Sequence, residues 1–272
     1  MNRITMTFQY ITISACLCAI ASAAPAVNST SVLDTILSRG ELLIGVTGDY
    51  IPFSFLADGV DIQDVAGADV DLGRALAASL GVNATFVQTS WPTLLEDLHA
   101  GLYDIGMSGI TKTLVRQQVA YLSDSYMDFG KMAVVRCEDG DKYASLDDLN
   151  QPTVTSVANP GGTNEKFQLE HLDKTNQTTW PDNRSIYDRV AEGHADVFVS
   201  DSVEVLLHVD LDERLCAPIE ETFTQSEMGF LLPRDDIWLN YVNLWLHQEE
   251  VAGSLTMESF IEKGEALYVA NI

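Results

Sequence analysis

The fold class predicted for this chain is α/β: two lobes, each a mainly parallel sheet flanked by helices, joined by two hinge crossings. Short apolar runs alternate with amphipathic stretches along the chain, the order expected of βαβ units. The pattern runs through once to about residue 136 and begins again near 153. With 272 residues and no internal repeat, low-complexity tract or long polar linker, the chain is long enough for two compact lobes.

Taken in order, 42–47 reads as a buried strand and 69–80 as a helix, with Val70, Leu72, Leu76 and Leu80 at helical spacing before the stop at Gly81. A strand at 84–88, a helix at 92–99, a strand at 104–107, a short helix at 114–120 and a strand at 132–136 complete the first βαβαβ series. The second series places strands at 153–157, 178–180 and 196–199 and helices at 163–172, 186–192 and 202–209. Residues 226–232 read as a strand returning to the first lobe, followed by helices at 237–250 and 257–266 that pack on it. The chain then crosses between lobes near 129–133 and 226–231, giving one lobe of 31–130 plus 230–272 and another of 131–229. In open α/β sheets ligands bind beyond the carboxyl ends of the strands, so the cleft between the lobes is the expected site.

The first residues have the order of a secretory signal peptide: Arg3, a mainly apolar stretch over 10–21, then small residues before Pro25. About twelve apolar residues fall short of the roughly twenty that span a bilayer. Residues 1–24 are therefore expected to be removed from a secreted protein, periplasmic if the source is bacterial, with no membrane span. A rival reading takes Ile13-Ser14-Ala15-Cys16 as a lipoprotein box. Of four cysteines, Cys16 and Cys18 fall in the leader, which leaves Cys137 and Cys216 to form one disulfide in an exported chain. Asn28, Asn83, Asn176 and Asn183 begin sequons that a eukaryotic secretory path would glycosylate.

Forty acidic residues against 15 basic ones give a formal charge of −25, and losing Arg3 takes it to −26. A polyanion such as nucleic acid is repelled by that field. A small anionic ligand needs a local basic pocket that overrides it. His99, His171, His194, His208 and His247 are scattered without metal-binding spacing. No phosphate loop or nucleophile elbow is present, so neither a metal nor an organic cofactor is expected.

The segments Gly45-Val46-Thr47-Gly48-Asp49-Tyr50-Ile51-Pro52-Phe53, Asp69-Val70-Asp71-Leu72 and Gly101-Leu102-Tyr103-Asp104-Ile105 resemble the family-3 solute-binding proteins for amino acids. That resemblance covers nearly all of the mature chain and implies the type II periplasmic-binding-protein-like fold, with a hinge and no fixed chemistry. Narrower runs are similar to one enzymatic branch, the cyclohexadienyl dehydratases: Thr89-Ser90-Trp91-Pro92, Met107-Ser108-Gly109-Ile110, Asn159-Pro160-Gly161-Gly162-Thr163-Asn164-Glu165-Lys166-Phe167, Pro181-Asp182-Asn183 and Ser200-Asp201-Ser202-Val203-Glu204. Ala68 departs from the pattern, which usually carries Phe there.

The branch implies a lyase that converts prephenate to phenylpyruvate or arogenate to phenylalanine. Expelling a ring hydroxyl is the difficult step, and a general acid contributes roughly 10²–10⁴-fold. The resemblance places that acid at Glu204, whose carboxyl would need burial to hold its proton near neutral pH. Spacing alone favours a helix capping box for Asp201-Ser202-Val203-Glu204, and it is the resemblance that turns the reading toward catalysis. Arg116 is the expected carboxylate clamp, against the bland alternative of a surface arginine. Lys131, at the first crossing, would neutralise a second carboxylate or be a solvated hinge lysine. Asn159, Thr163 and Asn164 bracket a Gly-Gly turn before a helix and would position an anion, although turn chemistry alone accounts for those residue types. Trp91 and Tyr50 would wall the ring or simply pack, and Ser108 and Thr111 would offer hydroxyls. Asp201 would face the ligand while capping its helix. The competing reading is a non-catalytic receptor that clamps an amino acid between Arg116 and Asp201, and a weaker one is a secreted sensor or effector without turnover.

Overall fold

The computed structural model describes residues 30–253 and 255–271. The expected leader, its cysteines and the Asn28 sequon lie outside the described residues. The described chain from Ser31 onward is one compact unit.

It opens with α1 (Val32–Arg39), which the periodicity reading missed. A capping box fixes this helix: the Ser31 hydroxyl accepts from the Asp34 amide while the Asp34 carboxylate accepts from the Ser31 amide. β1 (Glu41–Val46) follows, then a two-stranded hairpin of β2 (Asp49–Tyr50) and β3 (Ser54–Phe55), α2 (Ala68–Leu80), β4 (Asn83–Gln88), α3 (Leu94–His99), β5 (Ile105–Gly106), α4 (Leu114–Gln117) and β6 (Tyr121–Leu122). β7 (Met127–Phe129) leads directly into β8 (Lys131–Arg136), then α5 (Leu146–Leu149), β9 (Thr155–Ala158), α6 (Thr163–His171), β10 (Asn176–Thr179), α7 (Ile186–Ala191), β11 (Val197–Asp201), α8 (Ser202–Leu211) and β12 (Leu215–Cys216). The run expected as one returning strand is broken into β13 (Ser226–Met228) and β14 (Leu231–Leu232). α9 (Asp236–Ala252) and α10 (Met257–Asn271) end the chain.

Two five-stranded sheets carry the architecture, ordered β4-β1-β5-β14-β6 and β10-β9-β11-β8-β12. In each, the strands joined through helices are parallel: β1 with β4 and β5, β9 with β10 and β11. The strands that arrive through the crossings run the other way. β8 is antiparallel to β11 and β12, and β14 is antiparallel to β5 and β6. A chain that leaves one sheet and enters the next from its far end has to run against the strands already there. The crossings themselves pair as a ribbon, β7 against β13.

β8 shows why the second sheet is covered on both sides. Met132 and Val134 face one apolar cluster with Ile186, Tyr187, Val190 and Phe198, while Ala133 and Val135 face another with Phe167, Val197 and Val199. An unbroken apolar run is what a strand sandwiched between helices requires. The first sheet packs its larger core against Trp238, Trp245 and Phe260 of the terminal helices. Val203 of α8 joins that same core, although α8 follows a strand of the other sheet. α8 is therefore wedged between the second sheet and α10.

Cys137 and Cys216 are joined, bridging the start of the segment after β8 to β12 across 79 residues. Closing a loop of that length restricts the unfolded chain by about 4 kcal/mol. Replacing both cysteines with alanine is expected to lower unfolding free energy by about that amount in oxidising buffer, with no change once the parent protein is reduced as well. Paired denaturant titrations with and without reductant check this.

Candidate active site

The halves are shut on one another. Tyr50 Oη donates to Asp201 Oδ2 at 2.5 Å, Asn183 Nδ2 to the Asp49 carbonyl at 3.0 Å, and Arg184 to Asp58 at 2.6 Å. Thr111 Oγ1 and Thr163 Oγ1 approach to 3.4 Å across the cleft. The Gly-Gly turn closes against Pro92: a Cβ on Gly161, whose φ is +84°, would meet the Pro92 nitrogen at 2.7 Å. Only glycine allows both that backbone conformation and that approach.

Between these contacts lies a narrow cavity of about 20 Å³ in this shut state, lined by Tyr50, Trp91, Thr111, Asn159, Asn164 and Asn183 together with Thr163 and Asp201. Trp91 meets Tyr50 edge-on at 5.7 Å and is held by an Nε1 hydrogen bond to Asp49. The amino end of α6 points into it, placing a partial positive charge beside the asparagines. Lys131 lies beneath the floor, 5% exposed. Its ammonium donates to Asp201 Oδ1 at 2.5 Å, to Thr163 Oγ1 at 2.9 Å and to Asn164 Oδ1. Arg116, also buried, donates to the Thr111 carbonyl at 2.7 Å and feels the Asp201 charge, while burial holds its pKa below the usual arginine value.

Glu204 stands in the first turn of α8, 2% exposed. Its Oε2 accepts from the Ser200 hydroxyl, which in turn accepts from Asn164 Nδ2 at 3.0 Å, so the carboxyl is one hydroxyl removed from the cavity wall. Burial pushes its pKa up to about 8, and the Asp201 carboxylate adds to the rise. The Ser200 hydroxyl, Tyr187 and Lys131 pull against it. The capping-box reading of this segment is overturned: Asp201 is the N-cap by position, yet its carboxylate makes no cap hydrogen bond and goes to Lys131 and Tyr50 instead. Its expected double role as cap and cleft residue is corrected accordingly.

Two other expectations change. Ser108 is fully buried behind the cleft, where its hydroxyl binds Thr47 at 2.8 Å and Ser54 at 2.6 Å, so it braces the strand end and does not line the cavity. Asn183 is no glycan acceptor in this shut state: it is buried, and the amide nitrogen a glycan would need is bonded to Asp49. Asn83 and Asn176 are exposed. Asn183 is instead a cavity residue that the sequence reading missed, its Oδ1 buried without a partner. Ser200 and Tyr187 were missed too. Ser200 lies near the end of β11 four residues ahead of Glu204, where it reads as plain strand, and Tyr187 comes to the site from α7, a packing that spacing does not encode.

The family of bacterial extracellular solute-binding proteins, family 3, matches residues 42–258. The cyclohexadienyl dehydratase of Pseudomonas aeruginosa is 40% identical over 251 residues, covering 91% of this chain and 92% of that protein. The chain belongs to the cyclohexadienyl dehydratase branch of that family. An ancestral cyclohexadienyl dehydratase is 46% identical, with a TM-score of 0.53 over 88% of this chain and 98% of its own. An ancestral amino-acid-binding protein described as a precursor of cyclohexadienyl dehydratase is 35% identical, with a TM-score of 0.78 over 86% of this chain and 99% of its own.

For a dehydratase of this build, the raised carboxyl has a measurable cost. An exposed glutamate titrates near 4.5 and Glu204 near 8, so the folded protein holds a proton that the unfolded chain has released across that interval. Stability from this site is full below about 4.5 and is lost as pH rises to about 8. Asp69, raised to about 7 by burial, has the same sign, while His208, lowered to about 4 by burial, has the opposite one and weakens the fold as pH falls below about 6.5. Glu204→Gln removes the first contribution alone. Its Tm relative to the parent is expected to climb steadily between pH 5 and pH 8, as read from paired thermal melts.

Proposed function

We propose that this dehydratase acts on prephenate or arogenate in the cleft, with Glu204 as the general acid and the Lys131 and Arg116 charges drawing the substrate carboxylates in. As the ring carboxylate leaves as carbon dioxide, its electron pair completes the aromatic ring and the ring C–O bond breaks. The departing hydroxyl takes the Glu204 proton and leaves as water. The observation that carries this reading is a buried carboxyl, raised to about 8, and one hydroxyl away from an amide-lined cavity. A receptor for amino acids has no use for a protonated acid there.

Lys131 adds a second argument. A receptor of this fold would hold an amino acid's ammonium on Asp201, but that carboxylate is already engaged by the Lys131 ammonium and the Tyr50 hydroxyl. The α-keto end of prephenate leaves that pair intact, whereas the ammonium of arogenate has to compete for it. Asn159, Asn164, Asn183 and Thr163 orient the substrate's polar ends, and Trp91 and Tyr50 flank its ring. The lobes that move are 31–130 with 230–272 and 131–229, hinged on the β7–β13 ribbon. Export through the leader, and hence a secreted or periplasmic place of work, belongs to the same proposal. Among the described residues no helix is long and apolar enough to cross a membrane.

Incubating the purified protein with each substrate and following the aromatic product tests the reading. Turnover is expected, faster with prephenate, and Glu204→Gln is expected to lower kcat by about 10²–10⁴-fold while still binding substrate. Parent kcat is expected to fall as pH rises through about 8, when Glu204 loses its proton. Tight binding of amino acids with no product would establish a receptor instead.

A further inference from the structure

Asn183 is the one residue, among those described, that borders both the substrate cavity and the larger cleft lined by Glu204. It opens a single turn of 3₁₀ helix just ahead of α7 and is 4% exposed. Its Nδ2 is spent on the Asp49 carbonyl, which only accepts, so the amide's orientation is fixed and Oδ1 is the atom it can offer a ligand. That oxygen is buried and has no partner in the protein. The other side-chain carbonyl and carboxylate oxygens on the cavity wall already have donors: those of Asp201 from Lys131 and Tyr50, that of Asn164 from Lys131, and that of Asn159 from Asn164. A buried acceptor without a donor costs free energy, so its place on this wall calls for a donor that arrives with the ligand.

Prephenate can supply one donor and no more. As a dianion it carries two carboxylates and a ketone, which accept, and a single ring hydroxyl, which donates. We propose that the Asn183 amide oxygen accepts the hydrogen bond of the substrate's ring hydroxyl and so holds the leaving group with its O–H turned away from Glu204. Held in this way, the hydroxyl oxygen presents a lone pair to the acid. When the ring C–O bond breaks, that oxygen takes the bond's electron pair and the Glu204 proton, keeps its own proton on Asn183, and leaves as water. A hydroxyl free to rotate would spend part of its time donating to the very carboxyl that has to protonate it. Asn183, between β10 and α7, and Glu204, on α8, both belong to the half built on the second sheet, so their spacing is set within that half.

This inference rests on the dehydratase reading for the identity of the ligand, and a binding measurement separates the two. Ring-saturated prephenate keeps both carboxylates, the ketone and the hydroxyl but cannot become aromatic. A companion compound carries fluorine in place of the hydroxyl, similar in size and with no proton to donate. In titration calorimetry the parent protein is expected to bind the hydroxyl compound about 10-fold more tightly than the fluoro compound. In Asn183→Leu, close to asparagine in shape, that ratio is expected to fall to near one, and kcat with prephenate to fall by a similar factor. Asn183→Ala is expected to give the same collapse and covers the case in which the leucine variant folds poorly. Losing the bond to Asp49 weakens both compounds alike, so a ratio that keeps its parent value in a folded variant, or a parent that does not discriminate, would overturn the assignment. A parent that prefers the hydroxyl through Asn183 yet makes no aromatic product would uphold the recognition and overturn the dehydratase reading, and binding of neither compound would overturn both.

Discussion

The buried pair of Lys131 and Asp201 is the constraint on which the site depends. Both side chains are about 95% removed from water, at 5% and 6% exposure. Taking two charges out of water costs several kcal/mol each, and mutual attraction repays it only when the remaining hydrogen-bonding capacity is filled. Here it is filled from both halves: Thr163 and Asn164 receive two ammonium protons, and Tyr50 donates to the second carboxylate oxygen from across the cleft. The pair is complete only when the halves meet, which ties electrostatic satisfaction to closure.

Glu204 follows from that arrangement. It sits three residues from Asp201, and two carboxylates so close in a dry space do not both ionise readily. Lysine and tyrosine are spent on Asp201, which carries the charge. Glu204 is left with a serine hydroxyl and an unpaired tyrosine, and burial makes it the one that keeps a proton. Pairs of acids pushed apart in this way are how one site holds a base and an acid at the same pH. The chain's large negative charge is consistent with the same design, since a buried arginine supplies locally the attraction that the surface withholds.

Much of this was legible in the sequence, for identifiable reasons. The helix over Ala68–Leu80 and the apolar strands of both series follow from apolar period and turn residues, which are local properties, whereas the helix over Thr163–His171 carries no apolar stripe and is marked by the Gly-Gly turn before it. α1 was missed because its signal is a cap and not a stripe. The reversed direction of β8 and β14 depends on how a chain enters a sheet, which periodicity does not encode. At the site, Asp201 and Glu204 were visible as a spacing with two meanings, and only the path of the Asp201 carboxylate to Lys131 chose between them. Ser108 and Asn183 carried the right motifs for the wrong jobs, because burial decides whether a hydroxyl braces a strand or meets a ligand, and whether an amide takes a sugar or bridges a cleft.

The protonation of Glu204 in the shut protein is the quantity to measure. Infrared difference spectra between the parent and Glu204→Gln, recorded across pH, report the carbonyl stretch of a protonated carboxylic acid at this position. A band present at pH 7 that fades only as pH rises through about 8 is the result expected. A band that appears only in acid, in the ordinary glutamate range near 4.5, would contradict a buried proton donor.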